Sequence, residues 1–352
     1  MIVDNTGETL RVTVMMSDEI FLLNMKLTSR VDLTNVIRIG ASSGKIELDL
    51  TKSTPGRWKS LGTPLDKHLW FGLLKVCLNM SIEFGFLLIR DVQDVEETYR
   101  DWRVVRVRED THNTRHLILS PPPGLQLSPG VGQHVNFRTV INNPDKAWTV
   151  VEGLEVTRSY TPVVPLLKQM MDEEVEGCLQ FLIKVYPHGM MTPGLGELLV
   201  GDTVSVSHHT GSFRLSQVPL SPASELYLLT AGTGITPIIG LLAHLQKLSS
   251  KPAVKLITFD RKEEDIIWRA EIGQFEVKNS DWLTVVRVLS EAGASWSGER
   301  GRVRPDLLTK HLRPGGSRWA AVCGPPGFNR ETVRLLREHL GFSEEEIHLF
   351  EG

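Results

Sequence analysis

Residues 226–259 constrain the fold of this chain more than any other stretch. An apolar run, LYLLT at 226–230, passes through Gly232-Thr233-Gly234 into a helical run that opens with Thr236-Pro237 and stays apolar to Leu248, and a second apolar run follows at 254–259. Strand, glycine turn, helix and strand make a βαβ unit, whose strands lie parallel and whose helix covers one sheet face. Strand-like runs at 283–289 and 319–323, with a helical stretch at 330–340, extend the alternation. The spacing predicts a parallel α/β domain over residues 219–352.

Upstream the pattern changes. Short strand-like runs at 103–108 (RVVRVR), 116–119, 134–137, 181–186 (FLIKVY) and 203–207 (TVSVS), with a turn-rich loop at 121–130, predict an antiparallel β-barrel over residues 99–218. Alternating runs at 9–16, 20–27, 36–39 and 45–50, separated by turn residues, predict a small β-sandwich over 1–66. The fold class is thus mixed β and α/β. Residues 67–98 are left as a linker or insertion. They include 69–89, LWFGLLKVCLNMSIEFGFLLI, which has the length of a membrane span but is interrupted by Lys75, Asn79 and Glu83. A buried connecting segment is the preferred reading.

Composition excludes several classes. Lys plus Arg number 39 against 42 for Asp plus Glu, so no basic excess marks a nucleic-acid binder. Only three cysteines occur, Cys77, Cys178 and Cys323, none paired as CxxC, which points to a reducing compartment and away from structural zinc. The opening MIVDNTGETL has neither the basic nor the apolar region of a secretory signal. His134, His208, His209 and His348 fall at no metal-ligand spacing, so no metal site is expected.

Four constellations could carry chemistry. Arg158-Ser159-Tyr160-Thr161-Pro162 joins a guanidinium fork suited to a pyrophosphate with a ring that can lie on a flat heterocycle. Alone it is an ordinary strand end. Leu182 to Tyr186, then Gly189-Met190-Met191-Thr192-Pro193, is a strand followed by a helix start, whose N–H groups suit a phosphate. Alone it is a plain strand and helix. Gly232-Thr233-Gly234-Ile235-Thr236-Pro237, delivered by a strand into a helix, lets the backbone approach a nucleotide closely, and it lacks the GK[ST] of a P-loop. Cys323-Gly324-Pro325-Pro326 ends the last predicted strand, where open α/β sheets contact ligands. No partner near Cys323 in sequence activates it as a nucleophile.

In this order and spacing, the four motifs resemble the cytochrome b5 reductase branch of the ferredoxin–NADP reductase superfamily from about Trp102 to Gly352. Val200-Gly201-Asp202-Thr203-Val204, Gly211-Ser212-Phe213, Glu264-Asp265-Ile266-Ile267 and Ile347-His348-Leu349-Phe350 agree with it. Residues 46–65, with Trp58 and a closing Leu61-Gly62-Thr63-Pro64-Leu65, resemble the end of a CS domain, an α-crystallin-like sandwich. That domain would here start in mid-fold and expose an unpaired edge. Together the two parts resemble the fusion oxidoreductases that join cytochrome b5, CS and reductase domains.

The resemblance implies FAD in the barrel, NADH or NADPH as electron donor on the parallel sheet, and a haem protein of the cytochrome b5 type as acceptor. Arg158, Tyr160 and Thr161 would hold the FAD pyrophosphate, ribityl chain and ring. Leu182 and Lys184 would line the flavin, and Gly189, Met190, Met191 and Thr192 would face its phosphates. Gly232, Thr233, Gly234 and Pro237 would accept the nucleotide. Thr236 would sit where flavin and nicotinamide meet, with Cys323, Gly324, Pro325 and Pro326 flanking the nicotinamide. Tyr160, Thr161, Thr236 and Cys323 are the catalytic candidates.

Departures from the family pattern are Ser159 in place of Pro, extra length at 142–156, and Asp260 where Asn is usual. No acidic residue of the kind that selects NADH follows Leu289, although Glu291 is adjacent to Ser290. A cytochrome b5 domain's His-Pro-Gly-Gly is absent, so the expected acceptor is external. A competing reading is a CS-type protein-interaction module carrying a non-catalytic reductase fold. The expected location is the cytoplasm, with association to the endoplasmic reticulum.

Overall fold

The computed structural model describes residues 1–16, 19–40, 45–54, 56–65, 75–76, 82–83, 87–89, 97–141, 154–167, 177–313 and 315–350. Two compact units emerge: residues 1–101 with 121–129, and residues 102–120 with 130–352.

In the N-terminal unit, a sheet runs in the order Leu125–Leu127, Ile2–Asn5, Thr9–Met16, Glu19–Leu27, Gly62–Pro64, and Leu87–Ile89 also pairs with Glu19–Leu27. Val31–Gly40 and Lys45–Lys52 form a separate hairpin. Alternate residues Leu10, Val12 and Val14, with Leu23, Met25 and Leu27 opposite, turn inward to form the core, as a period of two requires.

The expected open edge is absent at the first strand. Ile2–Asn5 is buried throughout and pairs with Thr9–Met16 on one side and Leu125–Leu127 on the other. Residues 121–130, read from sequence as a loop, therefore supply a strand. Three residues between prolines and glycine are too few to show alternation, yet Leu125 and Leu127 are buried and Gln126 is exposed. Asp4 is buried and ion-paired with Arg100.

The second unit contains an antiparallel sheet in the order Leu154–Tyr160, Val135–Ile141, Thr203–Ser207, Tyr99–Thr111, Thr114–Ser120, Leu179–Lys184. Residues 154–156, placed by sequence in the extra stretch, belong to its first strand. Residues 142–153 lie outside the described residues.

A parallel sheet follows, in the order Glu299–Arg300, Leu283–Leu289, Ala253–Asp260, Glu225–Ala231, Arg318–Cys323, Ile347–Leu349. Its side chains sort by parity. Leu226, Leu228, Val254 and Leu256 pack with helices Ile235–Gln246 and Arg269–Lys278. Tyr227, Leu229, Ile257 and Phe259 pack with helices Pro305–His311 and Pro326–Leu340. The first of these cores continues through Leu182 and Phe213 into the barrel wall.

Two helices begin earlier than their apolar patterns indicated, at Ile235 and Pro326. The glycine turn winds directly into the first, and Pro326 occupies the opening position of the second, where a missing N–H costs nothing. Helix Arg269–Lys278 buries only Ile272 and Phe275, too little to announce itself in sequence. Within 69–89 the described residues are short strands, and no helix among the described residues is long and apolar enough to cross a membrane.

The junction at Gly124 gives a direct test of the N-terminal sheet. Gly124 has φ +84°, and a Cβ there would lie 2.0 Å from the carbonyl oxygen of Asn5. Gly124→Ala is expected to lower stability by roughly 2 kcal/mol or more in urea unfolding. Gly293→Ala, with nothing within 4 Å of its Cβ position, should change it little.

Candidate functional site

The segment that follows edge strand Leu154–Tyr160 reaches the other edge strand, Leu179–Lys184, at an isolated bridge, Val163↔Gln180. Beyond it they stand on either side of Phe137, whose ring lies 4.6 Å from that of Tyr160 and 4.9 Å from that of Phe181. Gln180 accepts the Val163 N–H through its carbonyl at 2.7 Å. Backbone groups alternate in direction along an antiparallel strand, so Leu182 and Lys184 present theirs to the same open side. The result is a slot between the outward-facing main chain of Leu182 and Lys184 on one wall and the Arg158–Tyr160 strand end on the other.

The Arg158 guanidinium contacts only the Thr157 carbonyl, at 2.7 Å, and has no carboxylate partner among the described residues. Burial pushes the Tyr160 phenol up to about 12, so it remains a hydrogen-bond donor at any working pH. Thr161 follows at the strand end, half-buried. The Leu182 side chain is buried in the core, leaving its backbone to the slot.

Below the slot, the Thr192 hydroxyl accepts the Tyr186 N–H at 3.0 Å and lies 3.3 Å from its carbonyl. Gly189 is required there, because a Cβ would lie 2.6 Å from that hydroxyl. Thr192 thus closes the 186–192 loop, so an anion at this turn would find main-chain N–H groups at the start of Thr192–Gly196. Met191 is buried and Met190 exposed.

The second half of the site lies at the carboxyl edge of the parallel sheet. Gly232 has φ +54° with open space at its Cβ position. A Cβ on Gly234 would lie 2.1 Å from the Cys323 carbonyl oxygen, and one on Gly324 would lie 2.9 Å from the Ala231 Cβ. The two turns named from sequence therefore sit back to back. No side chain caps helix Ile235–Gln246, the Thr236 hydroxyl donates to the Thr233 carbonyl at 3.0 Å, and the Ile235 N–H is already taken by the Gly232 and Thr233 carbonyls of the turn. Thr236 and Pro237 are buried. Pro325 precedes helix Pro326–Leu340 as its cap residue. Burial pushes the Cys323 thiol up to about 12, so it stays neutral.

The halves are joined. Strand Leu179–Lys184 contacts the Gly232–Gly234 turn. Lys184 does not stand free beside the slot: its ammonium pairs with Asp265 at 3.2 Å, and Asn113 donates to the same carboxylate oxygen at 3.2 Å. Burial alone would raise Asp265, but these partners hold its carboxyl below the usual range. Nearby, Trp268, left-handed at φ +49°, donates its N–H to Asp110 at 3.2 Å. Asp265 lay within a run noticed in the sequence. Asn113, Asp110 and Trp268 carried no signal there, because their roles arise only when two domains meet.

Beside the turn, Thr230, Gly232, Thr258, Asp260, Arg269 and Arg287 line a shallow, open recess. The buried Thr258 hydroxyl has no hydrogen-bond partner among the described residues. Burial raises the Asp260 carboxyl to about 7, against the pull of Lys184 and Arg287. A buried hydroxyl without a partner among the described residues and an open glycine at a strand-to-helix turn fit a nucleotide, and the slot with its backbone edge fits a flat cofactor.

Comparison with known proteins agrees. Residues 101–215 match the oxidoreductase FAD-binding domain and residues 228–334 the oxidoreductase NAD-binding domain. The chain is 34% identical to cytochrome b5 reductase 4 of Rattus norvegicus over 99% of its own length and 62% of that protein's. It spans 62% of the Homo sapiens counterpart too, at 33% identity. Among solved structures, the CS-b5R domains of human Ncb5or superpose with a TM-score of 0.82 at 32% identity, covering 99% of this chain and 92% of that one. The cytochrome b5 reductase domain of Ulva prolifera nitrate reductase shares the fold over 72% of this chain and 97% of its own, at a TM-score of 0.58 and 19% identity. The chain belongs to the cytochrome b5 reductase family.

Proposed function

We propose that the chain is an FAD-dependent NAD(P)H oxidoreductase that passes electrons singly to a haem protein of the cytochrome b5 type. The carrying observation is the contact of the slot's open wall, strand Leu179–Lys184, with the Gly232–Gly234 turn. A cofactor in the slot and a nucleotide on the turn would be neighbours with no intervening element. FAD, when bound, supplies hydride acceptance from the nicotinamide and one-at-a-time release of the electrons.

The chain's own residues bind and align. Arg158 offers its guanidinium to the pyrophosphate, and Tyr160 donates its O–H to the ribityl chain. Thr161 and the backbone of Leu182 and Lys184 take the polar edge of the ring. Met190, Met191 and Thr192 offer main-chain N–H groups to the phosphates. Gly232, Thr233 and Gly234 admit the nucleotide to the helix amides, with Pro237 fixing the first turn. Thr236 and the neutral Cys323 thiol, with Gly324, Pro325 and Pro326, flank the reacting ring and exclude water. The Lys184–Asp265 pair holds barrel and nucleotide sheet in register.

Support for the acceptor is family membership. The N-terminal unit is read as a CS-like module for a protein partner, supported by its likeness to the CS-b5R structure. We place the protein in the cytoplasm, associated with the endoplasmic reticulum, where the free thiols of Cys178 and Cys323 stay reduced.

The purified chain should show a flavin absorption spectrum that bleaches on anaerobic addition of NADH or NADPH. Absence of flavin after reconstitution with FAD would favour a non-catalytic interaction module instead. Arg158→Ala should weaken FAD binding by about tenfold or more while leaving far-UV dichroism unchanged.

Asp260 predicts a pH dependence. Its carboxyl is neutral below about 7 and negative above, and the negative form repels a ligand carrying phosphates. KM for the nucleotide should therefore rise as pH increases through about 7, and Asp260→Asn should flatten that rise. An equally steep profile in Asp260→Asn would assign the titration to another group.

A further inference from the structure

A short stretch on the wall of the nucleotide recess is gripped at both ends by the barrel. At one end Asp265 accepts the Lys184 ammonium at 3.2 Å and the Asn113 amide at 3.2 Å. At the other, three residues on, the Trp268 N–H donates to the Asp110 carboxylate at 3.2 Å. Lys184 ends strand Leu179–Lys184 and Asp110 lies near the end of strand Tyr99–Thr111, so both grips come from the antiparallel sheet. Between them lie Ile266 and Ile267, and Arg269 follows; all three line the recess beside Gly232.

The second grip holds a strained residue. Trp268 has φ +49° and ψ +42°, the only positive φ outside glycine among the described residues. A bulky side chain resists that conformation because its Cβ crowds the following carbonyl, and it persists only where the surroundings over-determine it. Here the Trp268 side chain is buried in the core beneath the parallel sheet. Its carbonyl accepts the Ile272 N–H at 2.9 Å, which opens helix Arg269–Lys278. Its ring meets that of His116 edge-on, with centroids 5.8 Å apart, and His116 is hydrogen-bonded to the Gln180 side chain at 3.1 Å. The register of strand Tyr99–Thr111 against Thr114–Ser120 shifts between Glu109 and Thr111, and such a break re-aims the side chain it carries. That side chain is Asp110. Burial pushes its carboxyl up to about 6, with Glu271 adding to the rise and the Trp268 N–H opposing it. A strained backbone, a break in pairing and a half-buried carboxylate thus converge on one hydrogen bond.

We propose that Asp110 is a positioning residue for the donor nucleotide: its hydrogen bond holds Trp268 in the left-handed turn that keeps Ile266, Ile267 and Arg269 on the recess wall. This rests on the functional reading above and deepens it. Held at Asp265 alone, the segment could pivot about one point; a second grip three residues on fixes its direction. Relaxation of Trp268 to an ordinary backbone conformation would re-aim the residues on either side of it, and the recess would lose that wall. Neither Asp110 nor Trp268 lines the recess. The barrel therefore sets nucleotide affinity through residues that touch no nucleotide.

Two measurements on the full chain loaded with FAD test this without turnover. One is amide hydrogen exchange over residues 265–272; the other is calorimetric binding of ADP-ribose, which carries the donor's phosphates and adenosine without its reactive ring. Asp110→Ala should speed exchange of that segment and weaken ADP-ribose by about tenfold each. Asp110→Val, whose side chain suits a strand, carries the same expectation should the alanine variant not fold. Asp110→Asn keeps an acceptor oxygen without the charge, and should stay within about threefold of the unaltered chain in both measurements. FAD affinity should change less than about threefold in every variant. Faster exchange with unchanged ADP-ribose binding makes the hydrogen bond purely structural and overturns the proposal. Unchanged exchange overturns it too, as does an asparagine variant that behaves like the alanine one. Each of these leaves the oxidoreductase reading intact. Failure of the unaltered chain to bind ADP-ribose instead removes the nucleotide reading of the recess, and the proposal with it.

Discussion

The site depends on one contact, the seating of Gly234 against the main chain at Cys323 and Gly324. Any side chain at position 234 would collide with a carbonyl rather than with a movable group. That contact sets the spacing of two turns on adjacent parallel strands, one of which winds directly into helix Ile235–Gln246 with no side chain capping it. Close-packed backbone does not relax as side chains do. The nucleotide half of the site is therefore built into the sheet and does not wait for a loop to close.

The barrel half is held differently. Its strand Leu179–Lys184 is tied to the nucleotide sheet by a shared apolar core and, on the surface side, by Lys184, Asp265 and Asn113. Dispersion in the core is indifferent to small sliding motions, whereas a charged, directional pair is not. The polar junction supplies the register that the apolar one lacks. Asp260, close to the same cluster, shows the cost of a carboxylate left without a full set of donors.

What the sequence made legible follows from how local each signal was. The turns at Gly232–Gly234 and Cys323–Pro326 are read from a few consecutive residues, and the structure places them back to back. The apolar strands of the parallel sheet were equally local. By contrast, Thr192 looked like a free phosphate ligand, because nothing in its neighbourhood shows that its hydroxyl closes the loop to Tyr186. Lys184 looked like a flavin contact for the same reason: its partner is 81 residues away. The strand Leu125–Leu127 was hidden between prolines, and its pairing with Ile2–Asn5 spans more than a hundred positions. Pairings of that separation leave no periodic trace.

That strand has a consequence for biosynthesis. The N-terminal sheet is begun by the first residues of this chain and finished by residues 125–127, which follow two strands of the barrel's sheet in sequence. During translation its hydrophobic face must stay incomplete until that later segment has left the ribosome. The sheet is thus among the first parts of this chain to be made and cannot be among the first to be finished. A boundary drawn between the two units at residue 101 would cut one polypeptide yet strand a piece of the first unit inside the second.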